Sequence, residues 1–302
     1  MQTKYNFSVP NFKKIRLIID TDAKNEADDQ FAIVHALLTN KFIVKGIIAA
    51  HFGTRRTDQS MLESYSEIEK VLNLMGVRTS YEVKHGSATS LVSEDDVTTS
   101  EGSELIIKEA LANDDQKLFC IFLGPLTDMA IALKQRPEIE DRVTVIWIGG
   151  GVWPVGGDEF NLSNDILAAN IVYRSNVELW QVPRNVYSMM RVSLAELQKK
   201  VKPCGEIGNY LFQQMVEFND TLGNNPVWPL GESWVLGDSA AIGLLMDDQN
   251  FDYKLVPAPH VLDDMSYRHE TSDRFIRMYN SIDSRFILED FFSKMEITFK
   301  KG

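Results

Sequence analysis

The sequence predicts an α/β fold with an open, mainly parallel sheet and helices on both of its faces. Apolar runs of strand length alternate along the chain with segments whose apolar residues recur at helical spacing. Several of these runs are apolar throughout, as are strands that a parallel sheet buries on both faces. The chain contains no linker, low-complexity block or fixed-period repeat. We therefore expect a single Rossmann-like domain over residues 1–302.

The elements can be assigned in chain order. The first strand covers Leu17 to Ile19, and the helix after it presents Phe31, Val34 and Leu37 on one face. Further strands are predicted at 42–52, near 83, at 118–123, and in RVTVIWIGGG, VELWQVP, YKLVPAPHVL and FIRMYNSI. Further helices are predicted at 57–75, at about 104–112, from about 128, from about 165, at 193–200, at 205–218, after 238, and in SRFILEDFFSKM. The segments 87–103 and GDEFNLS are expected to be loops.

Composition restricts the partners and the compartment. The formal net charge is −12 and the sequence pI is near 4.9, which disfavours nucleic acids and anionic membranes as partners. No apolar run approaches membrane-spanning length, and residues 1–14 lack the apolar core of a signal peptide. The two cysteines, Cys120 and Cys204, suggest no disulfide framework, which fits a reducing compartment. We expect a cytoplasmic protein.

The stretch 17–38 concentrates negative charge between its strand and its helix. It contains five acidic residues and one lysine, namely Asp20, Asp22, Lys24, Glu26, Asp28 and Asp29. Carboxylates this close repel one another, and a bound hard cation such as calcium is the economical way to hold them together. Open α/β sheets also place their sites at the carboxyl ends of strands. Attraction to the helix dipole would account for Asp28 and Asp29 but not for all five acids. The sequence therefore predicts a metal site.

Two later strand ends also carry candidate ligand groups. Residues 123–127, Leu-Gly-Pro-Leu-Thr, would leave carbonyl groups free for a hard cation, although Thr127 as a helix N-cap is the more ordinary explanation of this segment alone. Asp238 follows Gly237 at a predicted helix start. It is either a simple N-cap or a further metal ligand, and the residues themselves leave both possibilities open.

A glycine-rich strand end suggests a polyhydroxylated ligand. Adjacent glycines at 149–151 would let a ligand approach the backbone closely. Glu159 and Asn161 alternate around Phe160, so an extended segment would present both polar side chains on one side. Two hydrogen-bonding groups in that arrangement suit a sugar.

The complete set of segments is more specific than any one of them. It comprises Asp20-Thr21-Asp22 with Asp28-Asp29, then GPLTDMAIAL, then VIWIGGG followed by EFN and NDILAANIV, and finally GDSAAIGLL. In this order, from about residue 15 to residue 246, the segments resemble the motifs of the inosine-uridine-preferring nucleoside hydrolase family. The resemblance implies the nucleoside hydrolase fold, calcium as cofactor, and release of ribose and free base from a ribonucleoside in purine or pyrimidine salvage. It also implies a homodimer or homotetramer.

The resemblance further implies roles for individual residues. The metal ligands would be Asp22, Asp29, the main-chain carbonyl of Leu123, and Asp238. The ribose would be held by Asp28, Glu159 and Asn161, with Asp20 and Thr54 near the site. The metal would lower the pKa of its bound water, and Asp22 would be the general base that accepts the proton. Direct attack of this water on the anomeric carbon predicts inversion of configuration.

Two departures from the family pattern affect the expected chemistry. Six residues, 23–28, separate Asp22 from Asp29 where the family usually has four, so this loop must bulge for the acids to converge. Gly237 stands where the family often has a histidine near the leaving base. His85 matches a His-Gly element of the family and could protonate or orient the leaving group, although an ordinary loop histidine is an equally good interpretation.

Other interpretations remain open from the sequence. Trp228 and Trp234 could stack on a nucleobase, but core packing is the simpler expectation. The same site design could serve a hydrolase of another riboside, or a nucleoside- or sugar-binding protein without catalytic activity. A phosphatase with Asp20 as nucleophile and Asp22 as acid is a weaker alternative, because it leaves the Glu-Phe-Asn segment unexplained.

Overall fold

The computed structural model describes residues 5–221, 231–247, 252–269 and 273–300. The strands are β1 Ile15–Thr21, β2 Phe42–Ala49, β3 Val83–His85, β4 Leu118–Phe122, β5 Val143–Ile148, β6 Glu178–Val182, β7 Arg191–Ser193, β8 Ser233–Val235, β9 Tyr253–Pro257, β10 His260–Val261, β11 Tyr267–Arg268 and β12 Phe275–Tyr279. The helices are α1 Asp29–Leu37, α2 Ser60–Leu74, α3 Glu101–Ala110, α4 Thr127–Gln135, α5 Phe160–Asn164, α6 Ile166–Arg174, α7 Arg184–Tyr187, α8 Leu194–Lys200, α9 Gly205–Thr221, α10 Ser239–Met246 and α11 Ser284–Phe299.

Eight of the described strands form the central sheet in the order β3-β2-β1-β4-β5-β6-β12-β9. All neighbouring strands are parallel except β12 and β9, which are antiparallel. The predicted α/β fold with a mainly parallel sheet is therefore confirmed. The strand order reverses direction between β1 and β4, and this switch point opens a crevice at the carboxyl ends of the strands.

Apolar side chains cover both faces of the sheet. In β1, Leu17 and Ile19 pack into the cluster on one face, and Ile18 packs into the cluster on the other. This two-sided burial explains why the strands are apolar throughout. In the part of the chain that the structure describes, no helix is both long and apolar enough to cross a bilayer.

Two local predictions were wrong. The GDEFNLS stretch contains the short helix α5, because the side chain of Glu159 accepts hydrogen bonds from the first amides of that helix. Helix α3 begins at Glu101 rather than 104, because Ser100 and Ser103 form a capping box at its start. Both errors arise from side chains that satisfy helical amides, a signal that apolar periodicity does not contain.

Candidate active site

Three carboxylates from distant parts of the chain meet at the switch point of the sheet. Asp28 and Asp29 begin α1 after the loop that follows β1, and Asp238 immediately precedes α10. One oxygen of each carboxylate lies within 4.8 Å of the others, and all three residues are buried. Neither Asp28 nor Asp238 caps its helix with its side chain, so the simple capping explanation does not account for them.

Asp22 faces this acidic centre from the end of β1. It is 1% exposed, and its Oδ2 has no hydrogen-bond partner within the described residues. A Cβ built on Gly124 would lie 3.1 Å from both Cβ and Cγ of Asp22, so a glycine lets the end of β4 approach this side chain. The amide of the preceding Leu123 donates to the carbonyl of Asp20 over 2.9 Å. The ends of β1 and β4 therefore lie side by side at the acidic centre.

Burial raises the pKa values of these acids. It raises the pKa of Asp28 to about 6, although amides including that of Asp238 oppose the shift. Burial and then the charge of Asp28 raise the pKa of Asp29 to about 8. The pKa values of Asp22 and Asp238 are raised well above the ordinary range, by burial first and by the neighbouring carboxylates second. Closely packed carboxylates with raised pKa values retain protons unless a cation replaces them.

The residues present fit a hard divalent cation. The donor set consists of carboxylate oxygens, which calcium and magnesium prefer, and the unpartnered Oδ2 of Asp22 supplies a buried acceptor without a donor. The described residues whose carboxylate oxygens lie close enough together to hold the ion are Asp28, Asp29 and Asp238. The charge of Asp22 also raises the pKa of Asp238.

The long loop between Asp22 and Asp29 is anchored at both of its ends. The side chain of Gln30 donates to the carbonyl of Ala23 over 2.7 Å, and that of Gln214 donates to the carbonyl of Ala27 over 2.8 Å. Among the neighbouring charges, that of Asp29 raises the pKa of Asp22 most. Convergence of these two acids on one metal ion stays a prediction.

The middle of the loop carries a further acid toward the site. Arg56 donates to both the carbonyl and the side chain of Asn25, and the indole of Trp234 donates to Oε1 of Glu26 over 3.1 Å. Burial raises the pKa of Glu26, and the charges of Asp28 and Asp29 raise it further. The sequence grouped Glu26 with the other acids of this stretch but assigned it no individual role.

The ends of β4 and β5 are joined by Asn161. Its side-chain amide donates to the carbonyl of Leu123 over 2.7 Å and to that of Ile148 over 2.8 Å. Glu159 accepts from the amides of Gly150, Asn161 and Leu162, and from the hydroxyl of Tyr187. The expectation of an extended segment was wrong, because Glu159 caps α5 and Asn161 lies inside that helix.

Asp20 and Thr54, predicted near the site, have different environments. Asp20 is fully buried at the end of β1, where burial and the charges of Asp128 and Asp22 raise its pKa. Thr54 is exposed after β2. Thr127 does not cap α4, since its hydroxyl donates to Asp165 over 2.8 Å.

His85 lies on the edge strand of the central sheet, and its expected role near the leaving group stays a prediction. It ends β3, which is separated from β1 by β2, and its ring stacks on Tyr65 with 4.3 Å between ring centroids. Its Nδ1 lies 3.3 Å from Oε2 of Glu101, and its side chain is 40% exposed. These contacts agree with the interpretation of His85 as an ordinary histidine.

The candidate aromatic residues have different positions in the structure. Trp234 is 1% exposed and packs edge-to-face on Phe218, so core packing is the correct interpretation of this residue. Trp228 lies outside the described residues. Tyr187 was not identified from the sequence, because no motif surrounds it, but its ring lies next to Gly237.

The fold and the acidic centre define an α/β protein with a buried acidic cluster that could hold a metal ion at the switch point of a mainly parallel sheet. The profile of the inosine-uridine preferring nucleoside hydrolase family matches residues 17–284. The chain belongs to this family.

Individual relatives are distant. The pyrimidine-specific ribonucleoside hydrolase RihA of Salmonella paratyphi A is 24% identical over 208 residues, which are 61% of this chain and 64% of the relative. The non-specific ribonucleoside hydrolase RihC of Escherichia coli O127:H6 is 34% identical over 79 residues, which are 25% of this chain and 26% of the relative. The chain thus matches less than two thirds of the length of these relatives.

Solved structures show that the fold is shared. The purine-preferring ribonucleoside hydrolase from Gardnerella vaginalis superposes with a TM-score of 0.76 at 18% identity, covering 93% of this chain and 98% of that one. A plant nucleoside hydrolase, PpNRh1, superposes with a TM-score of 0.74 at 18% identity and the same coverage.

Proposed function

We propose that this protein hydrolyses the N-glycosidic bond of a ribonucleoside in a calcium-dependent reaction that releases ribose and free base. The observation that carries this proposal is the buried acidic centre of Asp28, Asp29 and Asp238, with the unpartnered Oδ2 of Asp22 facing it. Membership of the nucleoside hydrolase family supports the reaction class. A cytoplasmic salvage role and a homodimer or homotetramer are parts of the same proposal.

The calcium ligands in this proposal are Asp22, Asp29, the main-chain carbonyl of Leu123, and Asp238. The carbonyl oxygen of Leu123 has two lone pairs, so it can bind a cation while it accepts from Asn161. Calcium suits this set better than magnesium, because it accepts more protein oxygens and a more flexible geometry.

Asp22 is the proposed general base. The bound cation would supply a lowered pKa for a coordinated water. Oδ2 of Asp22 then accepts the proton of the attacking water, since this buried oxygen has no donor within the described residues. The cluster of carboxylates stabilises the positive charge that develops on the ribose ring. Attack from one face without a covalent intermediate predicts inversion at the anomeric carbon.

The ribose contacts are assigned to Asp28, Glu159 and Asn161. Both amide hydrogens of Asn161 are donated to main-chain carbonyls, so a ribose hydroxyl would donate to its Oδ1. Asp28 belongs to the acidic centre and therefore lies beside the proposed calcium ligands Asp29 and Asp238. Glu159 already accepts four hydrogen bonds from the protein, so its negative charge is held rigidly near the ring.

A second candidate is hydrolysis of a riboside with a different leaving group. It is favoured by the position of His85, which stacks on Tyr65, and by the absence of a side chain at Gly237. Both positions would otherwise supply an acid for a departing nucleobase. A riboside whose leaving group departs without protonation needs neither of them.

The test is release of ribose from a panel of purine and pyrimidine ribonucleosides, with calcium and after chelation. Calcium-dependent release from any member is the expected result, and it identifies the class of base. Release only from a riboside with a non-nucleobase leaving group would favour the second candidate. Ribose binding without release from any substrate would show a binding protein and overturn the proposed activity.

A further inference from the structure

An aromatic ring fills the space beside Gly237. A Cβ built on this glycine would lie 2.9 Å from Cδ2 of Tyr187 and 3.6 Å from Oδ2 of Asp28. The first distance is well below the optimal separation of two carbon atoms, about 3.5–4.0 Å. Position 237 therefore has no room for a side chain while the ring of Tyr187 is in place.

The other end of the same tyrosine reaches Glu159. Its hydroxyl donates to Oε1 of Glu159 over 2.9 Å. Burial raises the pKa of Tyr187 well above its ordinary value, and the charge of Glu159 raises it further, so the phenol stays protonated and remains a donor. One side chain thus spans the distance from the acidic centre to a carboxylate assigned to the ribose.

Tyr187 differs from the other donors to Glu159. The amides of Asn161 and Leu162 belong to α5, which Glu159 itself caps, and the amide of Gly150 follows β5. Tyr187 instead ends α7, which follows β6. Its hydroxyl is therefore a side-chain contact through which α7, together with the amide of Gly150 after β5, fixes the orientation of this carboxylate.

We propose that Tyr187 is a positioning residue whose hydroxyl orients Glu159 toward the ribose and whose ring fills the space beside Gly237. The two contacts are coupled, because the ring reaches Glu159 only if position 237 carries no side chain. The inference rests on the proposed ribohydrolase function of the site, and it adds a determinant that lies outside the metal ligands.

The first test is Tyr187→Phe, which keeps the ring and removes the hydroxyl. Loss of a hydrogen bond to a charged group is expected to raise KM on the order of tenfold. Calcium affinity should be unchanged, and kcat should change less than KM, since the contact acts on ribose binding. Tyr5→Phe is the matched control, because Tyr5 is partly buried and donates to the carbonyl of Leu38, between α1 and β2. An unchanged KM in Tyr187→Phe, or an equal rise in Tyr5→Phe, would overturn the proposal.

The second test is a cycle of Gly237→Ala, Tyr187→Ala and the double variant. In the presence of the ring, Gly237→Ala should raise KM and lower the free energy of unfolding, because the new methyl group displaces the ring from Glu159. In the Tyr187→Ala background the same methyl group meets no ring and should have little further effect. Equal effects of Gly237→Ala in both backgrounds would show that the contact is unimportant. If the wild-type protein cleaves no riboside, the proposed function fails. The free energies of unfolding of the same four proteins would still show whether the ring of Tyr187 and position 237 are coupled.

Discussion

Charged side chains are buried at both ends of strand β1, but the two groups of charges have opposite surroundings. At the amino end, Arg16 is 3% exposed, lies 3.6 Å from a carboxylate oxygen of both Glu109 and Asp114, and donates to two main-chain carbonyls. At the carboxyl end, Asp22 and Asp29 are both buried, and burial followed by the charges of neighbouring carboxylates raises the pKa values of both. Charge at the amino end is neutralised within the protein, so that end is complete without a ligand.

In the proposed function, a cation would complete the carboxyl end of the strand. A buried charge is tolerated when it is paired and hydrogen-bonded, and it is costly when it is not. The same strand therefore supplies structural stability at one end and binding capacity at the other. A buried charge whose partner the chain itself supplies is therefore assigned to stability. A buried charge without such a partner is assigned to ligand binding.

The largest effect is expected from replacing Asp22, the proposed base at the carboxyl end of β1. Asp22→Asn keeps the shape of the side chain but removes its negative charge, and we expect kcat for ribose release to fall on the order of a thousandfold. The free energy of unfolding should not fall, since one of several repelling carboxylates is lost. Asp58→Asn, at an exposed acid after β2, serves as the control and should retain activity. Wild-type turnover in Asp22→Asn would show that another group is the base.

Replacing Arg16, the buried cationic side chain at the amino end of β1, tests whether its contacts stabilise the fold. Arg16→Met removes a buried cation and its donations to two main-chain carbonyls, while Lys45 remains 3.3 Å from the carboxylate of Glu109. We therefore expect the free energy of unfolding in urea to fall by about 2 kcal/mol. The folded variant should keep the wild-type KM, because Arg16 lies at the opposite edge of the sheet from the acidic centre. Arg136→Met removes an exposed pair with Glu138 and should cost less than about 1 kcal/mol. Equal losses in the two variants would contradict the contrast between paired burial and exposed pairing.

The free energy of unfolding should depend on calcium and on pH through the carboxylates at the carboxyl end of β1. At calcium about 100-fold above its Kd, binding should add about 2.7 kcal/mol to the free energy of unfolding. Without calcium, the folded-state pKa values of Asp28, about 6, and Asp29, about 8, exceed the unfolded value. The folded state then holds more protons, so these groups lower stability as pH rises from about 4 to about 8.

The calcium effect should therefore grow over the same pH interval, since the ion must displace those protons. Urea denaturation with calcium and with chelator, at about pH 5 and about pH 8, measures the difference. Asp29→Asn should remove much of this pH dependence, whereas Arg16→Met should leave it in place. Equal stabilisation by calcium at both pH values would mean that the acidic centre is not where calcium binds.

Local sequence patterns were enough to predict the fold class and to locate the acidic residues that follow β1. Apolar runs and helical spacing depend on neighbours in the chain, so strand β1, helix α1 and most of the alternation could be predicted locally. The ordered motifs indicated the family, and the profile match over 17–284 confirmed it. Asp22, Asp28 and Asp29 could be grouped in advance because they lie on one loop.

The tertiary structure was needed to find which distant side chains lie beside these three acids. Asp238 reaches Asp28 because α10 begins at the switch point, whereas His85 is held on β3 by Tyr65. Tyr187 lies beside Gly237 through the path of the chain after β6, which no local pattern encodes. Periodicity reports which face of an element is buried, but contacts between elements depend on strand order and on the room that each side chain leaves for the next.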